Sequence, residues 1–577
     1  MDAFVLFRRV DMNWRFLLRL LFIVLITNST FLIADEPILS WHTFAGSVMD
    51  DDGAGIAVDP SGNIYLAGWS DANWGSPINP HSGGRDAFVA KLNSLGELEW
   101  NTFMGSTYED RARAIAVDGS GNVYVVGYSE ASWGIPGDPF LYGVNAFAAK
   151  LNTNGHLQWH KFMTPNGSTM GTAVTADAAG NVYVAGWGFP VWYTPPVEPF
   201  PEHDGAFVAK LNSSGAELWH AFMGSATPGY ADRCTAVAVA SNGNVYVAGW
   251  STKSWGNPIN PYAGDIDAFA AKFDSNGFRQ WNTFMGSPGY DGGWGIALDG
   301  SGNVHVVGSS AATWGAPVNP YAGGGEEGDA FAAKLDSSGV RQWNTFMGAE
   351  GSGELGWAIA VDAGQNIYVT GVGQELWGTP GGPPLTHPGG FVAELNRDGV
   401  LQWNMFLEAI LDGIALDGSR NVYVSGGGAG DWGTPVNPKA GPMGSWDAFV
   451  AKIETAIEID IDIKPGGDPN SINLCSDGAV PIAILGSDTF DVYDIDTETL
   501  RFAEASVKVV GMKDPRSLCS YEDVNDDLFC DLICHFLTAD IAGIDGQSST
   551  ATVNGELLNG TSIEGTDSVT IVKDTCN

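Results

Sequence analysis

The sequence predicts an all-β protein, and three markers that each recur seven times predict it. A tryptophan opening a short strand falls at Trp41, Trp100, Trp159, Trp219, Trp281, Trp343 and Trp403, at spacings of 59 to 62 residues. An asparagine in a G-N-V-Y-like turn falls at Asn63, Asn122, Asn181, Asn244, Asn303, Asn366 and Asn421. A phenylalanine in a D-A-F-like strand falls at Phe88, Phe147, Phe207, Phe269, Phe331, Phe391 and Phe449. Self-similarity at a fixed period decides the fold before any single motif does.

Each unit carries four strand signals. In the first complete one, Ile56-Ala57-Val58 and Ile64-Tyr65-Leu66-Ala67 flank Asp59-Pro60-Ser61-Gly62-Asn63, a turn by composition. Ala87-Phe88-Val89-Ala90-Lys91-Leu92 and Leu98-Glu99-Trp100-Asn101-Thr102-Phe103 follow, joined by Asn93-Ser94-Leu95-Gly96. Two hairpins make a four-stranded antiparallel sheet too small to bury its own faces, so it must stack on copies of itself. Radial stacking of such sheets is the β-propeller, whose usual range of blades includes seven. A β-solenoid coil would need far fewer residues per repeat. Through A-V-D-x-x-G-N-V-Y-V-x-G and D-A-F-V-A-K-L-N-x-x-G, residues 39–455 resemble the SBBP repeat family. That resemblance implies a seven-bladed propeller of the kind found in secreted proteins.

Residues 1–34 read as an export signal, with Arg8, Arg9, Arg15 and Arg19 ahead of the apolar run Leu20 to Ile26 and cleavage expected after Ala34. Met12 is a second possible start. Thr27-Asn28-Ser29-Thr30 interrupts the run well short of the ~20 apolar residues a membrane span needs, leaving an uncleaved anchor as the competing reading. The chain has 67 acidic and 27 basic residues, for a net charge of −40. A field of that sign repels nucleic-acid phosphates and anionic lipid, and favours hard cations such as calcium. The protein is therefore expected to be secreted or held at the cell surface as a monomer, with no nucleic-acid partner and no membrane insertion after cleavage.

Residues 38–45 match only the fourth strand of a unit, and the seventh unit lacks that strand. The N-terminal strand should complete the last blade, removing exposed sheet edges. Strand order then gathers the long loops on one face. These carry W-G-x-P at Trp74, Trp133, Trp255, Trp314, Trp377 and Trp432, while the third unit has Trp192-Tyr193-Thr194-Pro195 instead. A ring of indoles beside Asn and Asp would suit stacking on sugar rings. Packing of each indole within its own blade is the competing reading. Acids in the blade-to-blade crossings, Asp50, Asp51, Asp52, Asp110, Asp232, Asp291 and Glu354, should ring the channel mouth. They could hold a cation there, or simply cap their own turns. No catalytic signature such as H-E-x-x-H or G-x-S-x-G is present, and His42, His160 and His220 occupy a strand site that is Asn in other units.

Near Ala456 the register ends. Residues 456–577 form a β-rich, sandwich-like module with I-D-I-K-P-G at Ile461–Gly466, V-P-I-A-I-L-G at Val480–Gly486 and an acidic run at Glu522–Leu532. It resembles a C-terminal module of exported prokaryotic proteins. Asp523, Asn525, Asp527 and Asp531 match ligand positions 1, 3, 5 and 9 of an EF-hand-type loop, which points to Ca²⁺. Leu528 stands where that loop wants glycine, so a plain acidic turn is the alternative. Five of the six cysteines, Cys475, Cys519, Cys530, Cys534 and Cys576, lie here, and disulfides are expected after export. Zinc through Cys530, Cys534 and His535 matches no standard spacing well. The function expected is ligand binding or scaffolding outside the cell, with carbohydrate or protein as the partner. The alternative is a polysaccharide hydrolase or lyase at the channel mouth.

Overall fold

The computed structural model describes residues 37–573 apart from short stretches, chief among them 137–139, 164–167, 190–194, 199–204, 324–327, 382–388 and 512–515. The proposed export signal, Trp192, Trp432 and Cys576 lie outside the described residues.

Strand and sheet account for almost all regular structure. In the first complete unit the strands are Asp51–Val58, Ile64–Ser70, Asp86–Leu92 and Leu98–Met104, paired in sequence order and antiparallel. The pattern recurs to residue 455, giving six four-stranded sheets and one in which Pro380–Gly381 adds a short parallel strand. The D-A-F strand is buried on both faces, Asp86–Leu92 exposing only part of Lys91. It and the second strand, Ile64–Ser70, are the two inner strands of the sheet. Phe88 and Phe103 of the first sheet share one apolar cluster with Tyr423, Ala448 and Val450 of the last.

The first strands of successive sheets touch in order: Asp51–Val58, Asp110–Val117, Thr169–Ala176, Asp232–Val239, Asp291–Leu298, Glu354–Val361, Ile410–Leu416, and back to Asp51–Val58. This closed cycle is consistent with a β-propeller. Pro37–Ala45 pairs antiparallel with Asp447–Thr455, outermost in the sheet that Ile410–Leu416 begins. The N-terminal strand thus closes the last sheet as the repeat register requires.

The D-x-S-G-N turn is a side-chain-locked loop. Asp59 Oδ1 accepts from the backbone N–H groups of Ser61 (2.9 Å) and Asn63 (3.0 Å), while Oδ2 accepts from Asn63 Nδ2 and Tyr65 Oη. Asp118, Asp177 and Asp417 repeat this set. The motif's Asp, Asn and Tyr therefore serve hairpin geometry.

Residues 457–573 build a five-stranded and a four-stranded sheet over their own core, which includes Ile463, Ile482, Leu500, Phe502, Leu532, Phe536 and Val553. Cys519 and Cys534, directly opposite in an antiparallel pair, form a disulfide. Cys475 is also disulfide-bonded, and Cys530 is a free thiol. With its sulfur in that bond, Cys534 cannot serve as a thiolate for zinc.

Candidate functional site: the channel mouth

Every first strand is broken at the same place. Its pairing with the second strand skips one residue: between Ala112 and Ala114, Gly171 and Ala173, Cys234 and Ala236, Gly293 and Gly295, Gly356 and Ala358, and Leu411 and Gly413. In the first sheet the break spans Asp52 to Gly55. These are β-bulges, which leave one residue unpaired and re-aim its side chain. The residues so released are Ala54, Arg113, Thr172, Thr235, Trp294, Trp357 and Asp412. All seven line one cavity of about 390 Å³, together with Asp52, Met170, Gly171, Trp187, Arg233 and Trp250. The volume lies within the roughly 300–1,000 Å³ of small-molecule pockets. A second cavity of about 380 Å³ shares Asp52 and Asp412 and adds Asp50, Trp69, Ile410 and Trp446.

The glycine ending V-x-G makes each bulge possible. A Cβ on Gly68, Gly127, Gly186, Gly249, Gly308, Gly371 or Gly426 would collide with the carbonyl oxygen just before the bulge, that of Asp52, Arg111, Met170, Arg233, Gly292, Leu355 or Ile410 respectively.

The walls of the cavity differ in chemistry. Thr172 and Thr235 donate their hydroxyls to the carbonyls of Cys234 (2.7 Å) and Gly293 (2.9 Å), and so stitch one sheet to the next. The guanidinium of Arg233 lies 3.4 Å from the ring centre of Trp187, and that of Arg85 lies 3.7 Å from Trp69. Trp294 and Trp357 instead pack on each other, 5.0 Å apart and tilted by 57°. Across the ring closure stand Asp412 and Asp52, the latter accepting from Trp69 Nε1 at 3.1 Å. Burial, with the neighbouring Asp52 charge, pushes Asp412 up to about 7 against the pull of Arg113. Burial raises Asp52 too, opposed by Arg113, the Trp69 hydrogen bond and Arg111.

The W-G-x-P indoles sit elsewhere. Trp74, Trp133, Trp255, Trp314 and Trp377 are only 6–8% exposed and meet their own sheet's phenylalanines edge-to-face, as Trp74 does Phe88 at 5.3 Å. Trp314 Nε1 donates to Ser310 Oγ, which in turn donates to Asp291. The strand Asn or His holds the tryptophan carbonyl: Asn101 Nδ2 on Trp74 at 2.9 Å, His160 Nε2 on Trp133 at 2.8 Å. Gly75, with φ of 64°, lets the loop turn sharply behind the indole. With their faces covered by their own sheets, these five have the geometry that fits the packing reading.

The crossing acids also move. Asp51, Asp110, Asp232, Asp291 and Glu354 are buried at the seams between sheets, where Asp51 Oδ2 takes the Ser47 N–H and Asp291 Oδ2 the Ser287 N–H. Of the expected acidic ring, Asp52 and Asp50 alone line the cavities.

In the acidic run near the C terminus, Asp523 accepts from the N–H groups of Asp527 and Leu528, and Asn525 Nδ2 donates to Asp527 at 2.8 Å. Asp531 is fully buried, its two oxygens taken by the N–H groups of Gly486 and Val524. Among the described residues no three His, Cys, Asp or Glu side chains gather as a metal cluster would.

The SBBP model, a beta-propeller repeat, matches residues 45–73 and 95–132. A WD repeat-containing protein of Acanthamoeba polyphaga mimivirus is 24% identical over 242 residues, covering 33% of this chain and 17% of that one. This chain thus matches about a sixth of that relative's length. Among solved structures, hydrazine synthase of Kuenenia stuttgartiensis aligns at 9% identity and a TM-score of 0.41, covering 66% of this chain and 94% of that one. An ulvan lyase, a polysaccharide lyase, aligns at 9% identity and a TM-score of 0.37, covering 66% and 93%.

Proposed function

We propose that residues 35–455 are a seven-bladed β-propeller that binds carbohydrate at its channel mouth. In this reading residues 1–34 direct export and residues 456–577 form a separate β-rich module. The observation that carries the proposal is the non-equivalence of the seven bulge residues. Repeats that agree on Gly, Phe and Trp elsewhere present Ala54, Arg113, Thr172, Thr235, Trp294, Trp357 and Asp412 at the one position that lines the cavity in every repeat. A position kept for packing has one best residue in every repeat. A position facing a single asymmetric ligand does not.

Sugar suits this chemistry. Trp294 and Trp357 offer indole surface for the apolar face of a pyranose, and Asp52, Asp412 and Arg113 supply charged acceptors and donors for its hydroxyls. The Cys519–Cys534 disulfide is compatible with export, so the proposed site of action is outside the cell or at its surface.

A glycan array followed by titration tests the reading. Trp357→Ala should weaken binding about 5- to 150-fold, as loss of one stacking contact of about 1–3 kcal/mol would. Trp314→Ala, which removes a buried ring, should instead cost about 3–5 kcal/mol of stability without changing affinity in the folded fraction. Unchanged affinity in Trp357→Ala, or no glycan bound at all, overturns the proposal.

A further inference from the structure

We propose that the channel mouth also hydrolyses the glycan it holds, with Asp412 as general acid and Asp52 as general base. The inference rests on the carbohydrate reading above and adds a reaction to it.

The geometry is a carboxyl pair placed at the ring closure. Asp412 is the bulge residue of Ile410–Leu416, and Asp52 lies on Asp51–Val58, the next strand in the cycle. Both line both cavities, so a ligand in either one meets the two carboxyls together. The bulge residue of Asp52's own strand is Ala54, whose short side chain leaves that part of the wall to Asp52. Trp294 and Trp357 contribute to the same cavity, as a stacked sugar ring would need.

The two carboxyls are not equivalent. Burial raises Asp52 as it raises Asp412, but on Asp52 it is opposed by Arg113, the Trp69 indole N–H and Arg111, whereas on Asp412 Arg113 alone opposes it. Asp412 has burial and the Asp52 charge against it, with Arg113 opposing, and Asp50 lines the second cavity nearby. A proton held by the pair therefore resides on Asp412. Two carboxyls in different environments divide acid from base in this way.

The step balances with water as the only co-reactant. Asp412 gives its proton to the glycosidic oxygen as the bond from that oxygen to the anomeric carbon breaks. Water bonds to the anomeric carbon and passes a proton to the Asp52 carboxylate. After the two sugar products leave, that proton exchanges through solvent and Asp412 is reprotonated. One water is consumed per bond cleaved.

The test uses the full chain and each oligosaccharide that scores on the glycan array, with new reducing ends followed by chromatography and binding by calorimetry. Wild type should release reducing ends. Asp412→Asn and Asp52→Asn, one on each strand, should each lose about 100-fold or more in kcat at saturating oligosaccharide, the scale of general acid–base catalysis. Should one variant fail to melt cooperatively, the other decides. Binding without cleavage by wild type overturns hydrolysis and leaves the binding function standing. Absence of binding overturns both. Turnover that survives in a folded Asp412→Asn or Asp52→Asn, or unsaturated rather than reducing ends, also overturns the assignment.

Discussion

The carbonyl oxygen of Arg111 occupies the space where a Cβ on Gly127 would stand, and two residues on, Arg113 lines the cavity. A glycine on the second strand and a bulge on the first are thus two halves of one device. Every sheet repeats it, from Gly68 against Asp52 to Gly426 against Ile410.

Gly127→Ala should therefore displace the first strand. Overpacking against backbone, which cannot rotate away, costs typically about 1–3 kcal/mol. Urea unfolding should show that loss, and Arg113 should become more reactive to guanidine-directed reagents as the bulge is re-aimed. A variant as stable as wild type would mean that the bulge needs no glycine.

Removing residues 37–45 should leave the last sheet with three strands. The edge of Asp447–Thr455 would then be open along the length that now pairs with Pro37–Ala45. Loss of the buried Thr43, Phe44 and Ala45 adds to the cost. A sharply lower Tm and strand-exchanged dimers in size-exclusion chromatography are expected. A monomer with an unchanged Tm would contradict closure by this strand.

The seam carboxyls make stability depend on pH. Burial raises Asp51, Asp291 and Glu354 to about 7 and Asp110 to about 6. In the unfolded chain these groups ionise near pH 4. Between about pH 4 and 7 the folded chain holds more protons, so its stability is fully present below that window and falls as pH rises through it. The Tm should be lower at pH 8 than at pH 5. Asp291→Asn should flatten the slope, which separates this effect from general repulsion at a net charge of −40. A Tm independent of pH, or rising with it, refutes the reading.

Calcium is proposed for the loop of Asp523, Asn525 and Asp527, with Asp531 anchoring its base through Gly486 and Val524. Leu528 is 92% exposed with φ of 78°, the left-handed turn that a glycine would make without strain. Relief of that strain in Leu528→Gly should add about 1 kcal/mol to stability. Millimolar calcium should raise the Tm of the full chain relative to chelator, and Asp527→Ala should abolish the difference. Identical melting of wild type and Asp527→Ala in both buffers leaves the run as a turn.

The repeat, its strands and its closure were legible in the residues alone, because they follow from local hairpins copied at a 59–62-residue spacing. Trp41 and Phe44 could be assigned to the last sheet from register alone, since pairing repeats with the motif. Which tryptophans line a cavity depended on how the sheets pack. Recurrence in nearly every unit made Trp74 and Trp314 stand out, but recurrence is what packing against Phe88 or Phe331 produces. The informative signal was the opposite one: a fixed register position that changes from Ala54 to Arg113 to Trp294 to Asp412. That position has no strand partner, so no cross-strand pairing constrains its identity. Its seven residues lie about 60 positions apart in the chain and become neighbours only when the first strands close their cycle. Contact between residues so distant is set by how the sheets pack together, which no local pattern encodes.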